Sequence, residues 1–291
     1  MDFKDTFFSR NLSINCKGSL VDFSTPKVMA IVNLTPDSFY DGGRYSKLDK
    51  LAERIDTVIK EGADIIDIGG FSSRPGAKYI DAKEEIKRLR PALELIRGKD
   101  SGISVSVDTF RREVAELLNT EFGIEVINDI TAGDGDPELV EFAVEQSIPY
   151  IIMHMQGTPE TMQENPEYED VVNDLLGYFD RKIVELQSKG LKDIIIDPGF
   201  GFGKSMDNNY EILASLEVFQ AFEIPLMVGL SRKSMIYNFL ETTSDNALNG
   251  TTALHMYALH KGVNILRAHD VKEARQTISL HNKLNEIEKQ A

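Results

Sequence analysis

Eight short apolar, β-branched runs in this chain each end on a polar residue or a glycine, followed by a loop rich in Gly, Pro or Ser. Residues 28–32 lead to Asn33, 64–68 to Gly69-Gly70, 104–107 to Asp108, and 125–127 to Asn128-Asp129. Residues 150–153 lead to His154, 194–196 to Asp197-Pro198-Gly199, 226–228 to Gly229, and 264–266 to Arg267-Ala268-His269. Near-continuous apolar runs read as strands buried on both faces, the pattern of a parallel sheet, and parallel strands need crossover helices between them. The intervening segments meet that need. Residues 48–60, 82–96, 111–119, 137–145, 168–189, 208–219, 245–260 and 272–289 space apolar residues three and four apart with charges between. Eight such alternations in 291 residues predict an α/β fold, a (β/α)8 TIM barrel, with a doubly wound open sheet as the alternative. Polar residues or glycine-rich loops at every strand end favour the barrel, whose chemistry gathers at the carboxyl ends of its strands.

Charge limits the partners. A net charge of −15 leaves no basic footprint for a nucleic-acid backbone, so an anionic substrate has to meet a local cluster of cations. One cysteine, Cys16, rules out an internal disulfide; it is expected as a small buried residue in a reducing cytoplasm. The first residues lack a basic end followed by an apolar core, and no apolar stretch approaches about 18 residues, so neither membrane nor secretion is expected. Residues 1–26 precede the first barrel strand, and the weak alternation around Leu12 to Cys16 predicts a short hairpin closing the barrel bottom. Without a repeat, linker or low-complexity run, residues 1–291 are expected to form one domain.

The loops carry the chemistry. Residues 33–43 exceed a minimal strand-to-helix connection, and Asn33 stands where its side-chain carbonyl can ligate a hard cation. Residues 69–76 combine glycines, hydroxyls and Arg74, a bidentate phosphate partner. Asp108, Asn128 and Asp197 are acceptors at strand ends; each can cap the next helix, and together they can grip a flat heterocycle with adjacent N–H donors. Gly199, Gly201 and Gly203 alternate with Phe200 and Phe202, a spacing that is no dinucleotide fingerprint but brings backbone and rings close to a ligand. Residues 229–234 place Arg232 and Lys233 at an expected helix start, an anion-binding arrangement. Arg267 and His269 share one side of the last strand and join Lys233 and Arg74 in a basic cluster. His154 reads as structural or functional, while His255, His260 and His281 lack zinc spacing.

In this order and at these spacings, residues 33–39, 69–77, 106–109, 127–130, 153–157, 197–204, 231–234 and 267–270 resemble one family, dihydropteroate synthase, over nearly the whole chain from Val28. The resemblance implies condensation of 6-hydroxymethyl-7,8-dihydropterin diphosphate with p-aminobenzoate, with Mg²⁺, releasing pyrophosphate in folate biosynthesis. It implies that Asp108, Asn128, Asp197 and Lys233 hold the pterin. It assigns the diphosphate to Asn33, Arg74, Arg267 and His269, with Asn33 on the metal, and p-aminobenzoate to Phe39, Ser73, Pro75, Phe202 and Ser234. Catalysis would rest on Asn33, Arg74, Asp108, Lys233, Arg267 and His269. Sulfonamides, of like shape and charge, are expected to compete with p-aminobenzoate. The family commonly pairs through its late helices, here offering Leu254, Met256, Tyr257, Leu259, Ile278 and Leu280 for a homodimer. Two positions depart from the pattern: Phe71 stands where the family is often acidic, and Ser73 where threonine is common. A corrinoid-dependent methyltransferase domain or a silent pterin-binding paralogue would share the barrel, and a Schiff-base aldolase using Lys233 is a more distant alternative.

Overall fold

A computed structural model describes residues 12–35, 44–72 (44–47 by backbone only), 79–99, 101–157, 161–162 and 166–290. Eight parallel strands form the sheet: β3 (Lys27–Asn33), β4 (Ile65–Gly69), β5 (Ser104–Asp108), β6 (Val126–Asp129), β7 (Tyr150–Met153), β8 (Ile194–Asp197), β9 (Met227–Val228) and β10 (Ile265–Ala268). They neighbour one another in the order β8-β7-β6-β5-β4-β3-β10-β9, and a single parallel bridge from Ile196 to Leu226 closes the ring between β8 and β9. This is the barrel that the strand pattern predicts.

Side chains alternate along each strand, so one set faces the helices and the other the barrel axis. The outward set, including Val28, Ala30, Val32, Ile66, Ile68, Val105, Val107, Ile152, Ile194 and Val228, packs with the helices in one large apolar cluster. The inward set begins with Met29, Ile65, Val126, Ile151, Ile195, Met227 and Ile265. Against this layer sits the antiparallel hairpin of β1 (Ser13–Cys16) and β2 (Ser19–Asp22), which inserts Ile14 and Cys16 from β1, with Phe23 following β2. The hairpin is pinned from outside by the Asn15 amide donating to Asp193 at 3.0 Å. The barrel floor is therefore stoppered, as expected, and burial pushes the Cys16 thiol up to about 12, leaving it unreactive.

Helices α1 (Arg44–Lys60), α2 (Ala82–Arg97), α3 (Arg112–Phe122) and α4 (Pro137–Gln146) follow the expected segments. Later ones are trimmed by local capping. Asp170 accepts from the amides of Val172 and Asn173, so α5 (Val171–Ser188) begins three residues after the expected Tyr168. The expected helix 208–219 divides into α6 (Met206–Ala214), opened by a Ser205–Asn208 capping box, and a 3-10 helix over Leu216–Phe222. A six-residue α7 (Ser234–Phe239) precedes α8 (Leu248–His260), while α9 (Val271–Glu288) ends the chain. No described helix is long and apolar enough to cross a membrane.

Candidate active site

Two residues beyond the apolar floor, the inward positions turn polar: Asp67, Ser106, Asn128, Asp197 and Arg267 stand there with Ile31, Met153 and Gly229. One step higher, the register sets Asn33, Gly69 and Asp108 side by side on three neighbouring strands. A cavity opens above this layer, with about 700 Å³ of empty space when its open mouth is counted. Seven of the anticipated residues line it: Asn33, Asp108, Asn128, Asp197, Phe202, Lys233 and Arg267. Thr35, Phe71, Ser72, Ile130 and Met153 complete much of the wall. Arg74, Phe39, Ser73 and Pro75 lie outside the described residues.

At the centre is a cation between two carboxylates. Arg267 donates from Nε to Asp67 Oδ2 at 2.7 Å and from Nη2 to Asp108 Oδ2 at 3.0 Å. Asn128 Nδ2 donates to the same Asp67 oxygen at 3.1 Å, which fixes its amide with the carbonyl end turned away from Asp67. Asp67 is fully buried. Its Oδ1 has no hydrogen-bond partner among the described residues, and neither has Ser106 Oγ. Burial drives the Asp108 carboxyl up to about 7, with Arg267 opposing the rise and Asp67, Glu85 and Asp129 adding to it. Burial works against the Arg267 guanidinium too, but Asp67 and Asp108 outweigh it and hold the guanidinium above its ordinary value.

Asp197 forms the opposite wall. Its Oδ1 accepts from the Gly199 amide at 2.8 Å, and burial raises its carboxyl against the pull of Lys233, that amide and Arg267. Lys233 is pushed down to about 8 by burial, partly offset by Asp197 and deepened by Arg267. Its ammonium donates to the Phe200 carbonyl and lies 4.8 Å from the centre of the Phe202 ring. Gly199 makes this wall possible: its φ is +72°, and a Cβ there would stand 2.1 Å from the His154 carbonyl oxygen.

His154 turns out to be a fastener. Lys204 Nζ donates to the carbonyls of His154, Gly199 and Phe202 at 3.1, 2.9 and 3.0 Å, and faces His154 Nδ1 at 3.0 Å. Burial and that ammonium push the imidazole down to about 3, so it is neutral. Lys204 itself is pushed down to about 7, chiefly by burial. Together they tie the glycine loop after β8 to the end of β7.

His269 does not line the cavity as Arg267 does. Its amide donates to Ser231 Oγ at 3.2 Å, its carbonyl accepts from Arg54 Nη2 at 2.6 Å, and burial with Arg267 and Arg54 nearby pushes its imidazole down to about 4. Of the paired cations, only Lys233 meets the cavity. Arg232, at φ +55°, makes a two-pronged pair with Asp270 at 2.9 and 2.7 Å. Ser234 opens α7 behind Lys233, which occupies the N-cap without a side-chain capping bond.

No three His, Cys, Asp or Glu side chains among the described residues gather into a metal cage. Asn33 fits a different kind of metal site. Its Oδ1 and Asp108 Oδ2 flank Gly69, 3.5 and 3.6 Å from where a Cβ would lie. One neutral oxygen at a cavity mouth suits Mg²⁺, which keeps several waters and takes most other ligands from substrate phosphates.

Sequence reasoning passed over Asp67, Lys204 and Arg54. Asp67 carries a usable signal, since a charge inside a buried apolar run must find a partner.

The sequence profile of a family described as pterin binding enzyme matches residues 29–269. Dihydropteroate synthase of Escherichia coli K12 is 41% identical over 264 residues, covering 90% of this chain and 93% of that protein. The crystal structure of Yersinia pestis dihydropteroate synthase with a sulfonamide drug superposes at TM-score 0.88 and 36% identity, over 94% of this chain and all of that one. Xanthomonas albilineans dihydropteroate synthase with 4-aminobenzoic acid gives TM-score 0.87 and 32% identity, over 94% and 98% of the two chains.

Proposed function

The chain belongs to the dihydropteroate synthase family, and from that membership we propose that its barrel-mouth cavity joins 6-hydroxymethyl-7,8-dihydropterin diphosphate to p-aminobenzoate. The products are 7,8-dihydropteroate and pyrophosphate, a transferase reaction of folate biosynthesis. The observation that carries this assignment is the convergence of Asp108, Asn128 and Asp197 with Lys233 and Arg267 in one cavity. Acceptors arranged in that way match a heterocycle edged with N–H donors, and the cations match a leaving anion.

Asp197 and Asp108 accept from the pterin amino and ring N–H groups, Asn128 adds its amide, and Lys233 supplies a donor. Arg267 and neutral His269, with Asn33 and Arg74, receive the diphosphate. Asn33 would hold Mg²⁺, which when bound would supply charge neutralisation for the leaving diphosphate. The bond from the pterin methylene carbon to the diphosphate oxygen breaks, the ring shares the developing positive charge, and the arylamine nitrogen attacks that carbon and loses a proton. Fixed charges and positioning lower the barrier without a strong general base. Phe202 and Ser234, with Phe39, Ser73 and Pro75, receive p-aminobenzoate; sulfonamides compete for that half.

Pyrophosphate release should require both substrates together, and its pH profile tests the roles of two groups. The acceptor form of Asp108 is lost as pH falls through about 7, and the charged form of Lys233 as pH rises through about 8. A bell-shaped kcat/KM for the pterin diphosphate, with limbs near those values, is expected. A profile flat from pH 6 to 9 would refute both assignments.

A homodimer through the late helices belongs to the same proposal, on an altered surface. Leu259 and Ile278 are core residues, whereas Tyr257, Leu280, Leu284 and Ile287 are exposed on α8 and α9. An apolar stripe of this kind suits a two-fold contact. Light scattering at micromolar concentration should give twice the mass of one chain; a monomer would reject the pairing. A cytoplasmic location accords with the one free cysteine, Cys16.

A further inference from the structure

Arg111 lies outside the cavity, yet part of the cavity wall is fastened to it. Its Nη1 is paired with Glu85 on α2, whose side chain is fully buried, and its Nη2 donates to the Ile80 carbonyl at 2.9 Å. Its Cζ lies 4.5, 5.2 and 5.7 Å from the ring centres of Phe110, Tyr79 and Phe71. Phe71 meets Phe110 edge to face at 5.4 Å and Tyr79 at 6.5 Å. Phe71 follows the paired glycines at the end of β4 and lines the cavity, while Tyr79 and Ile80 lead into α2. The two described ends of the β4-to-α2 connection thus meet at one guanidinium.

We propose that Arg111 is a positioning residue for the arylamine half of the site, holding the Phe71 ring in the cavity wall through its cluster with Phe110 and Tyr79. The chemistry explains the departure at this position. An acidic residue, as the family often carries there, would meet a cation as an ion pair, whereas a phenyl ring meets it through its face. Glu85 then supplies the counter-charge from below, with only 11% of the Arg111 side chain exposed. Gly70 enforces the approach, since a Cβ there would press on Glu85 and Leu89 at 3.1 to 3.2 Å. None of the recorded Arg111 contacts involves Asp108, Asn128, Asp197 or Lys233, but its partner Glu85 acts on the Asp108 carboxyl, so the pterin half is separated from the cluster by changing Phe71 with the ion pair left intact.

The inference rests on p-aminobenzoate occupying the loop-lined side of the cavity. Steady-state kinetics of the full chain test it with Arg111→Met, Phe71→Leu and Phe71→Tyr. KM for p-aminobenzoate should rise about tenfold, equivalent to about 1.4 kcal/mol, in Arg111→Met and Phe71→Leu. Phe71→Tyr keeps the ring and should stay within about twofold of wild type, as should KM for the pterin diphosphate in both Phe71 variants. An unchanged KM for p-aminobenzoate in Phe71→Leu, or equal rises for both substrates, would overturn the proposal. Arg111→Met leaves Glu85 buried and unpaired; should it fail to fold, the Phe71→Leu and Phe71→Tyr pair, with the ion pair intact, decides the question. Failure of the underlying substrate assignment looks different: wild type itself would not consume p-aminobenzoate.

Discussion

Replacing Arg267 with methionine should lower folding stability by about 3–5 kcal/mol at pH 8, the usual consequence of leaving buried charges without their partner. Arg267 bridges Asp67, which has no exposure, and Asp108, whose carboxyl already titrates near 7 with the cation present. Without the guanidinium the Asp108 carboxyl rises further, since its burial and the charges of Asp67, Glu85 and Asp129 remain. The sign follows from linkage. A carboxyl whose folded pKa exceeds its unfolded value costs stability above the folded pKa, and the cost disappears as pH falls toward the unfolded value. The deficit should therefore be larger at pH 8 than at pH 5, as urea denaturation at the two values would measure. Equal deficits would show that the guanidinium is not neutralising these carboxylates. Turnover should fall by about a hundredfold or more at either pH, because the same cation is assigned to the diphosphate.

Asp197→Asn should lower affinity for the pterin diphosphate roughly a hundred- to thousandfold while hardly altering recognition of p-aminobenzoate. The substitution is nearly isosteric, and its remaining carbonyl oxygen can still accept from the Gly199 amide, so the loop stays in place. What changes is the other oxygen. It becomes an NH₂ that meets the pterin's donors with another donor, and a charge-assisted pair becomes two unsatisfied groups in a buried wall. Calorimetry with the pterin diphosphate measures the loss. Wild-type affinity in the variant would remove Asp197 from the pterin site.

The strand ends were legible in the sequence because a parallel barrel gathers its chemistry at one end, and Asn33, Asn128, Asp197 and Arg267 are each the first break in an apolar run, while Asp108 ends a serine–valine alternation. Asp67 was signalled only as a charge between Ile66 and Ile68, and its partners could not be read because its side chain faces opposite to theirs, into the barrel. Lys204 could not be read because its partners are the backbone carbonyls of His154, Gly199 and Phe202, whose convergence depends on the path of two loops. Arg54 and Arg111 look like ordinary solvated charges beside amphipathic helices, and only their tertiary partners set them apart. Helix limits failed where a single cap decided them, as at Asp170 and Ser205. For Leu259 and Ile278, periodicity marked apolar residues without showing that the barrel, rather than a second copy, covers them.

The stoppered floor makes the barrel a vessel with one opening. Ile14, Cys16 and Phe23 close the lower end against a layer that is itself buried, so water and ligands pass through the rim alone. Any molecule seated on Asp67, Asn128 and Asp197 rests on the deepest polar layer, and a molecule bound nearer the loops stands in its path. On the proposed assignment access would be a queue: the heterocycle would have to enter before the arylamine, and an arylamine seated too early would block the way down. A small antiparallel hairpin, far from the cavity mouth, would thereby impose sequence on events at the other end.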